Sequence, residues 1–215
     1  MNAARELISV IIDNDLLVAG AEARIATEVA NLPAALSPRL GAGEVQVYLR
    51  SLTWLQGAAM DGVVLGIARD AESRVLFAAA GKEPTDGGLG ALELTAVAGS
   101  TNGAPSDTAA TPWLALGALH AANARALHEL LPWTRPVSLR HRTTTVGMGD
   151  RLGVATPGHI RAARQYDLAP VLAQQSVREN EFIGRTFPDV VANATWGVFQ
   201  EGYRDGYGAD GDHLK

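Results

Sequence analysis

Three short stretches of this chain carry residue types that could do chemistry. The first runs Gly147-Met148-Gly149-Asp150-Arg151-Leu152-Gly153-Val154-Ala155-Thr156-Pro157-Gly158-His159. It sets four glycines, an acid, a base, a proline and a histidine within thirteen residues. Its glycines let the backbone approach a ligand closely. Thr156 suits a helix N-cap, and Pro157 suits the first helical position. The free amides and the dipole of such a helix start favour an anion. Arg151 can add a two-point grip on a carboxylate or phosphate. Asp150 can act as a base, as a metal ligand or as the partner of Arg151, and residue types leave all three open. A Gly-rich strand-to-helix turn with a surface ion pair accounts for the same letters equally well, since the stretch is neither GxGxxG nor GxxxxGK.

The second stretch is Gln174-Gln175, which closes an apolar run. Successive side chains of a strand face opposite sides, so one glutamine should enter a barrel or crevice and the other should face covering helices. A sugar hydroxyl is the natural partner of such an amide. The third stretch is the end of the chain, with Asp210, Asp212, His213 and Lys215. His and Asp are the usual donors for a divalent metal where thiolates are absent, and this chain has no cysteine. Two ligands do not make a site, and a solvated acidic terminus is the plain alternative.

These stretches need elements to position them. Apolar spacing predicts helices over 3–12 and 16–31, the second capped by Asp15 and ended by Pro33 and Pro38. Short runs rich in Val, Leu and Ile predict strands at 44–50, 62–69, 74–80 and 91–97, a small antiparallel layer. The Gly-, Pro- and Ser-rich span 81–112 around the last of these reads as surface loop. A helix is expected over 113–131, carrying Leu114, Leu116, Ala121, Ala124, Leu127 and Leu131 toward a sheet, with His120 and His128 on it.

After Pro136 the pattern alternates: strand 138–148, helix 156–167, strand 169–176, helix 186–206 and a third strand from 208. That order implies parallel strands joined by crossovers, with chemistry at the carboxyl ends of the strands. All three polar stretches fall at such ends. The expected organisation is a helical segment 1–40, a small α+β region 41–135 and the start of an α/β domain over 136–215. No helix follows the last strand to cover it, so the expectation is of part of a longer α/β fold.

Composition narrows the function classes. The chain has 215 residues, 47% of them hydrophobic, enough for one full domain with a small appendage. Its net charge of −5 argues against a nucleic-acid partner. Glu6, Asp13 and Asp15 interrupt the apolar N-terminus, so it does not read as a signal peptide. No run reaches the roughly 18 apolar residues of a membrane span. The expectation is a cytoplasmic protein with neither a membrane nor a nucleic-acid partner.

Taken together, the motifs are more specific than any one of them. "GMGDRLGVATPGHIRA", "PVLAQQSVRE" and "ATWGVFQEGYRDGYGADGDHLK" resemble, in order and spacing, the tagaturonate epimerase family of hexuronate catabolism. The resemblance is strongest over 138–215, and the stretch at 46–80 looks like the family's N-terminal β region.

The resemblance implies a metal-dependent isomerase that interconverts tagaturonate and fructuronate on a (β/α) barrel-like catalytic domain, of which this chain would hold the first strands. Members are about twice as long. On that footing Arg151 and the helix start at Thr156 would hold the carboxylate of a small anionic sugar acid. His159, Gln174, Gln175 and Lys215 would complete the binding surface. Asp150 or Asp212 would be the acid/base. His213 would be a metal ligand or proton donor, with Asp212 beside it, for an ion such as Mn, Zn or Ni. The inverted carbon lies one position beyond the carbon next to the ketone, so simple enolisation does not reach it. A metal-assisted retro-aldol and re-addition is the preferred route, and a transient oxidation is the other. The alternatives are another metal-dependent ketose isomerase or aldolase on the same type of barrel, or an inactive fragment.

Overall fold

The structure is a computed structural model that describes residues 2–57, 60, 62–85, 89–98 and 111–210. Asp212, His213 and Lys215 lie outside the described residues. The chain divides into two compact units, residues 1–32 with 37–118, and residues 33–36 with 119–215.

The first unit opens with helices α1 (Asn2–Asp13) and α2 (Ala21–Ala30). Strands β1 (Arg39–Ala42), β2 (Val45–Tyr48), β3 (Thr53–Trp54), β4 (Val64–Arg69), β5 (Arg74–Ala80), β6 (Thr95–Ala98) and β7 (Trp113–Gly117) follow. They form an antiparallel sheet in the order β1-β2-β4-β5-β7-β6, with β3 on β4. Leu7, Val10 and Ile11 recur on one face of α1 and share a core with Ile25, Val47, Val64, Phe77 and Leu114. Glu6, on the same helix, accepts hydrogen bonds from the amides of Glu44 and Val45 at 3.0 and 3.3 Å. That carboxylate ties α1 to the turn between β1 and β2.

Two expectations fail in this unit. Residues 113–117 are not the start of a helix; they are β7, paired with β5 from Trp113 opposite Ala80 to Gly117 opposite Leu76. Leu114 and Leu116 fit either period, because a short apolar run does not distinguish a buried strand from a helix. Gly117 disfavours a helix interior by about 0.5–1 kcal/mol relative to alanine, and the helix begins only after His120. Asp15 does not cap α2. It has a positive φ of 50°, and the helix starts after Gly20 instead. Of the expected surface loop 81–112, residues 86–88 and 99–110 lie outside the described residues, and its described part carries β6.

The second unit alternates helix and strand: α3 (Ala121–Leu130), β8 (Thr145–Gly149), α4 (Thr156–Ala163), β9 (Ala169–Gln174), α5 (Val177–Ile183), α6 (Phe187–Glu201) and β10 (Gly208–Asp210). The three strands are parallel, in the order β10-β9-β8. Ile160, Leu172, Ala173, Val190, Ala194, Val198, Tyr203 and Tyr207 form its core. α6 has strong stops at both ends. Thr186 and Asp189 make a reciprocal capping box, and Gly202 takes the left-handed C-cap.

Several of its buried polar groups are paired within the unit. Tyr207 donates to the Thr134 carbonyl at 3.0 Å, and burial holds its phenol far above the ordinary value. Thr195 lies 2.9 Å from His128 Nε2 and 3.2 Å from the Tyr207 hydroxyl. Arg161 donates to the fully buried Glu201 at 2.8 Å. α5 and β1 went unread in the sequence.

β9 carries one extra residue relative to both neighbours. Gly147 pairs with Val171 but Gly149 with Gln174, and Gly208 pairs with Val171 but Ala209 with Ala173. Such a bulge resets the alternation of side chains. Leu172 and Ala173 therefore both enter the core, and Gln174 returns to the face on which Val171 lies.

Candidate functional site

The carboxyl ends of β8 and β9 open onto a cavity of about 490 Å³. Its walls come from Gly149, Asp150, Arg151, Leu152, Val154 and Ala155 on one side and from Gln174, Gln175 and Glu179 on the other. Parallel pairing brings these segments together, because it sets the carboxyl ends of neighbouring strands side by side. Both glutamines line the cavity; Gln175 lies past the last residue of β9, where strand alternation no longer holds, and its amide also turns to Glu179 on α5.

The 150–156 loop is held from two directions. Asp150 is 6% exposed and accepts from the amides of Val154 (3.0 Å), Ala155 (2.7 Å) and Thr156 (2.9 Å) and from the Thr156 hydroxyl (3.2 Å). Burial alone would push its carboxyl up, but the amides of Thr156, Val154 and Ala155 and the Thr156 hydroxyl together hold it below the ordinary 3.8. From the other direction Arg185 Nη1 donates to the carbonyls of Asp150 and Arg151, both at 2.7 Å.

This changes the reading of the helix start. The amides expected to be free for an outside anion already hold an internal one, the Asp150 carboxylate. The N-cap position is Ala155, with Thr156 as the first helical residue and Pro157 as the second. Thr156 is buried beneath the loop, and neither it nor His159 forms part of the cavity wall. His159 is half-buried on α4 with its Nδ1 buried and unbonded.

Two glycines are closely approached by their neighbours. A Cβ on Gly147 would meet the Gln174 carboxamide, which lies across it and would have to swing aside. Gly153 has φ +73° and abuts Asn193, so a side chain there would be both strained and blocked.

Arg151 points its side chain outward, 71% exposed, and pairs with Glu179 rather than with Asp150. Glu179 Oε2 accepts from Gln175 Nε2 at 2.6 Å and from the Ser176 hydroxyl at 3.2 Å. Burial would raise the Glu179 carboxyl, yet hydrogen bonds from Ser176 and the charge of Arg151 bring it below its ordinary value. An ionised carboxylate only accepts, so the NH₂ end of Gln175 must face it. The carbonyl Oε1 is left over. Gln175 is 2% exposed, and its Oε1 is buried without a hydrogen-bond partner. Among the described residues, then, the cavity wall carries one cation, Arg151, and two carboxylates, Asp150, engaged by the loop amides, and Glu179, with the unsatisfied Oε1 of Gln175 buried near Gly149.

Sequence reading missed Glu179 and Arg185. Ser176-Val177-Arg178-Glu179 has the S-x-x-E form of a helix start and could have disclosed α5 with its glutamate. Nothing local marks Arg185, whose contacts span 34 and 35 residues. Among the described residues no group of three or more His, Asp or Glu side chains could hold a metal ion, so the donor set seen there does not fit one. No helix among them is long and apolar enough to cross a membrane.

Fold and site together define an α/β protein with a cavity lined by polar side chains at the ends of parallel strands. The profile of the tagaturonate epimerase family matches residues 63–215. The chain belongs to that family. A curated relative, the tagaturonate/fructuronate epimerase of Thermotoga maritima, is 54% identical over 93 residues, 43% of this chain and 19% of the relative. A glycerol complex of fructuronate-tagaturonate epimerase UxaE from Cohnella laeviribosi has a TM-score of 0.62 and 32% identity over 92% of this chain. Its native form has a TM-score of 0.62 and 33% identity over 90%. The chain spans 33% of each solved chain's length and about a fifth of the curated relative's.

Proposed function

We propose that this chain contributes the carboxylate-binding corner of a hexuronate epimerase that interconverts D-tagaturonate and D-fructuronate. The observation that carries the reading is the cavity at the ends of β8 and β9, where Arg151 and the unsatisfied Gln175 Oε1 stand together in a chain of this family. A hexuronate is an anion bearing several hydroxyls. Arg151 would take its carboxylate, and Gln175, with Gln174 alongside, would take its hydroxyls.

The reaction we infer is a retro-aldol followed by re-addition. The hydroxyl proton of the inverted carbon passes to a base. The bond from that carbon to the one beside the ketone breaks, and its electron pair becomes the enolate. After the aldehyde turns its other face, the enolate re-adds and the proton returns. Asp150 and Asp212 are the two carboxylates offered for the proton. Asp150 is engaged by four hydrogen bonds and held at low pKa, which makes it the weaker base and favours Asp212. The divalent ion implied by the resemblance belongs to the same proposal, with Asp212 and His213 as donors; Lys215 is kept as a substrate contact. Its further ligands would come from outside the described residues. A barrel-like catalytic domain completed by additional strands is the architecture this reading requires.

The test is to supply D-tagaturonate with Mn²⁺, Zn²⁺ or Ni²⁺ and follow D-fructuronate by NMR. It should be run with the 215-residue chain and with a full-length family member carrying the same motifs. Conversion by the full-length protein, lost on Arg151→Gln through a raised KM, is expected. Conversion of neutral ketoses or ketose phosphates in preference would establish a different isomerase or aldolase.

A further inference from the structure

Arg151 and Glu179 pose a problem for a cavity that must hold an anion. The cation intended for the ligand is already paired with a carboxylate of the protein. Three observations indicate how it becomes available. First, the Arg151 backbone is fixed while its side chain is not: Arg185 holds the Arg151 carbonyl at 2.7 Å, whereas the side chain is mostly in solvent. Exchanging one partner for another therefore needs only side-chain rotation. Second, Glu179 does not depend on Arg151. Its Oε1 meets the guanidinium, while its Oε2 keeps Gln175 Nε2 and the Ser176 hydroxyl. Third, both residues line the cavity, so the exchange takes place within it.

We propose that Glu179 is a specificity-determining residue, an internal stand-in for the ligand carboxylate that holds Arg151 until a sugar acid displaces it. This rests on the reading of the cavity as a hexuronate site. A neutral sugar cannot displace Glu179 from the guanidinium, because it brings no anion to replace it. A sugar acid replaces a single-point contact with a two-point one. Glu179 thereby costs anionic ligands some affinity and in return leaves no bare cation in the empty site. A part-exposed ion pair of this kind is weak, so the penalty corresponds to about two- to fivefold in affinity.

The experiment is calorimetric titration of the intact protein with D-tagaturonate and with D-tagatose, which has a hydroxymethyl group in place of the carboxylate. Wild type, E179Q, R151Q and the double variant are compared, with thermal unfolding confirming that each is folded. E179Q should bind tagaturonate about two- to fivefold more tightly than wild type, with tagatose unchanged. In the R151Q background, E179Q should have no effect on tagaturonate, because the competition acts only through Arg151. Weaker or unchanged tagaturonate binding by folded E179Q overturns the stand-in role while leaving the hexuronate site in place. If wild type binds neither sugar, both the stand-in role and the hexuronate reading fall.

Discussion

The two units place their buried polar side chains differently. In the antiparallel unit Ser51 and Thr53 close on the backbone, while the indole nitrogen of Trp113 is left without a hydrogen-bond partner. Ser51 donates to the Tyr48 carbonyl at 2.7 Å and accepts from the Ile67 amide at 2.8 Å, and Thr53 donates to the Ser51 carbonyl at 3.2 Å. In the parallel unit the polar side chains gather past the strand ends, and some stay open. Gln175 Oε1 and both amide atoms of Asn180 are buried without hydrogen-bond partners. An unmet acceptor or donor of this kind costs about 1–3 kcal/mol, which a ligand can recover. Antiparallel strands alternate direction, so their polar ends are divided between two edges. Parallel strands bring like ends to one edge, where side chains from separate loops converge on a single cavity.

Substitutions can break this comparison in graded steps. Phe77→Ala, in the core of the antiparallel unit, should cost about 3–5 kcal/mol of stability in denaturant titrations. It should leave ligand affinity unchanged in whatever fraction stays folded. In the parallel unit Arg161→Met removes the cation beside buried Glu201 and should cost about 3 kcal/mol. Asp150→Asn lies between scaffold and cavity. It should cost about 1.5–3 kcal/mol, since the loop amides lose an ionised acceptor.

Asp150→Asn should also change the acid limb of stability. The Asp150 carboxyl is held below its ordinary 3.8 in the folded state, so the unfolded chain takes up the proton first. Its contribution is full above about pH 4 and is lost as pH falls through the lowered value. Stability of wild type should therefore drop on acidification, and Asp150→Asn should show a shallower drop. Asp189, held low by hydrogen bonds from Thr186, adds to the residual slope in both. The smallest effect on folding belongs to Arg151→Gln. It should change stability by less than about 0.5 kcal/mol, because the side chain is largely solvated. Its effect should fall on sugar-acid binding instead.

Legibility in the sequence follows the range of the interactions involved. β5 was read at its observed bounds of 74–80, because Val, Leu, Phe and Ala run unbroken between turn residues. The alternation after Pro136 gave the parallel order, and β8, α4, β9, α6 and β10 all lie where it put them, with ends shifted by up to seven residues. Asp150 and Arg151 were singled out, but their partners were not. The Asp150 cap spans four to six residues of loop whose path no propensity describes, and the Arg151 partner lies on a helix that went unread. The bulge in β9 is equally silent, and it decides that Leu172 and Ala173 both enter the core. Residues 113–117 failed for a different reason: their apolar period is short enough to serve strand or helix, and pairing with β5 settles it.

The most direct test of the central claim, that the polar ends of β8 and β9 form the sugar-acid site, is a titration of the ¹⁵N-labelled chain with D-tagaturonate. Amide resonances of residues 149–155 and 174–179 should shift together in a saturable way, those of the antiparallel unit should stay in place, and Arg151→Gln should abolish the response. Shifts confined to the antiparallel unit, or a response that survives Arg151→Gln unchanged, would contradict it.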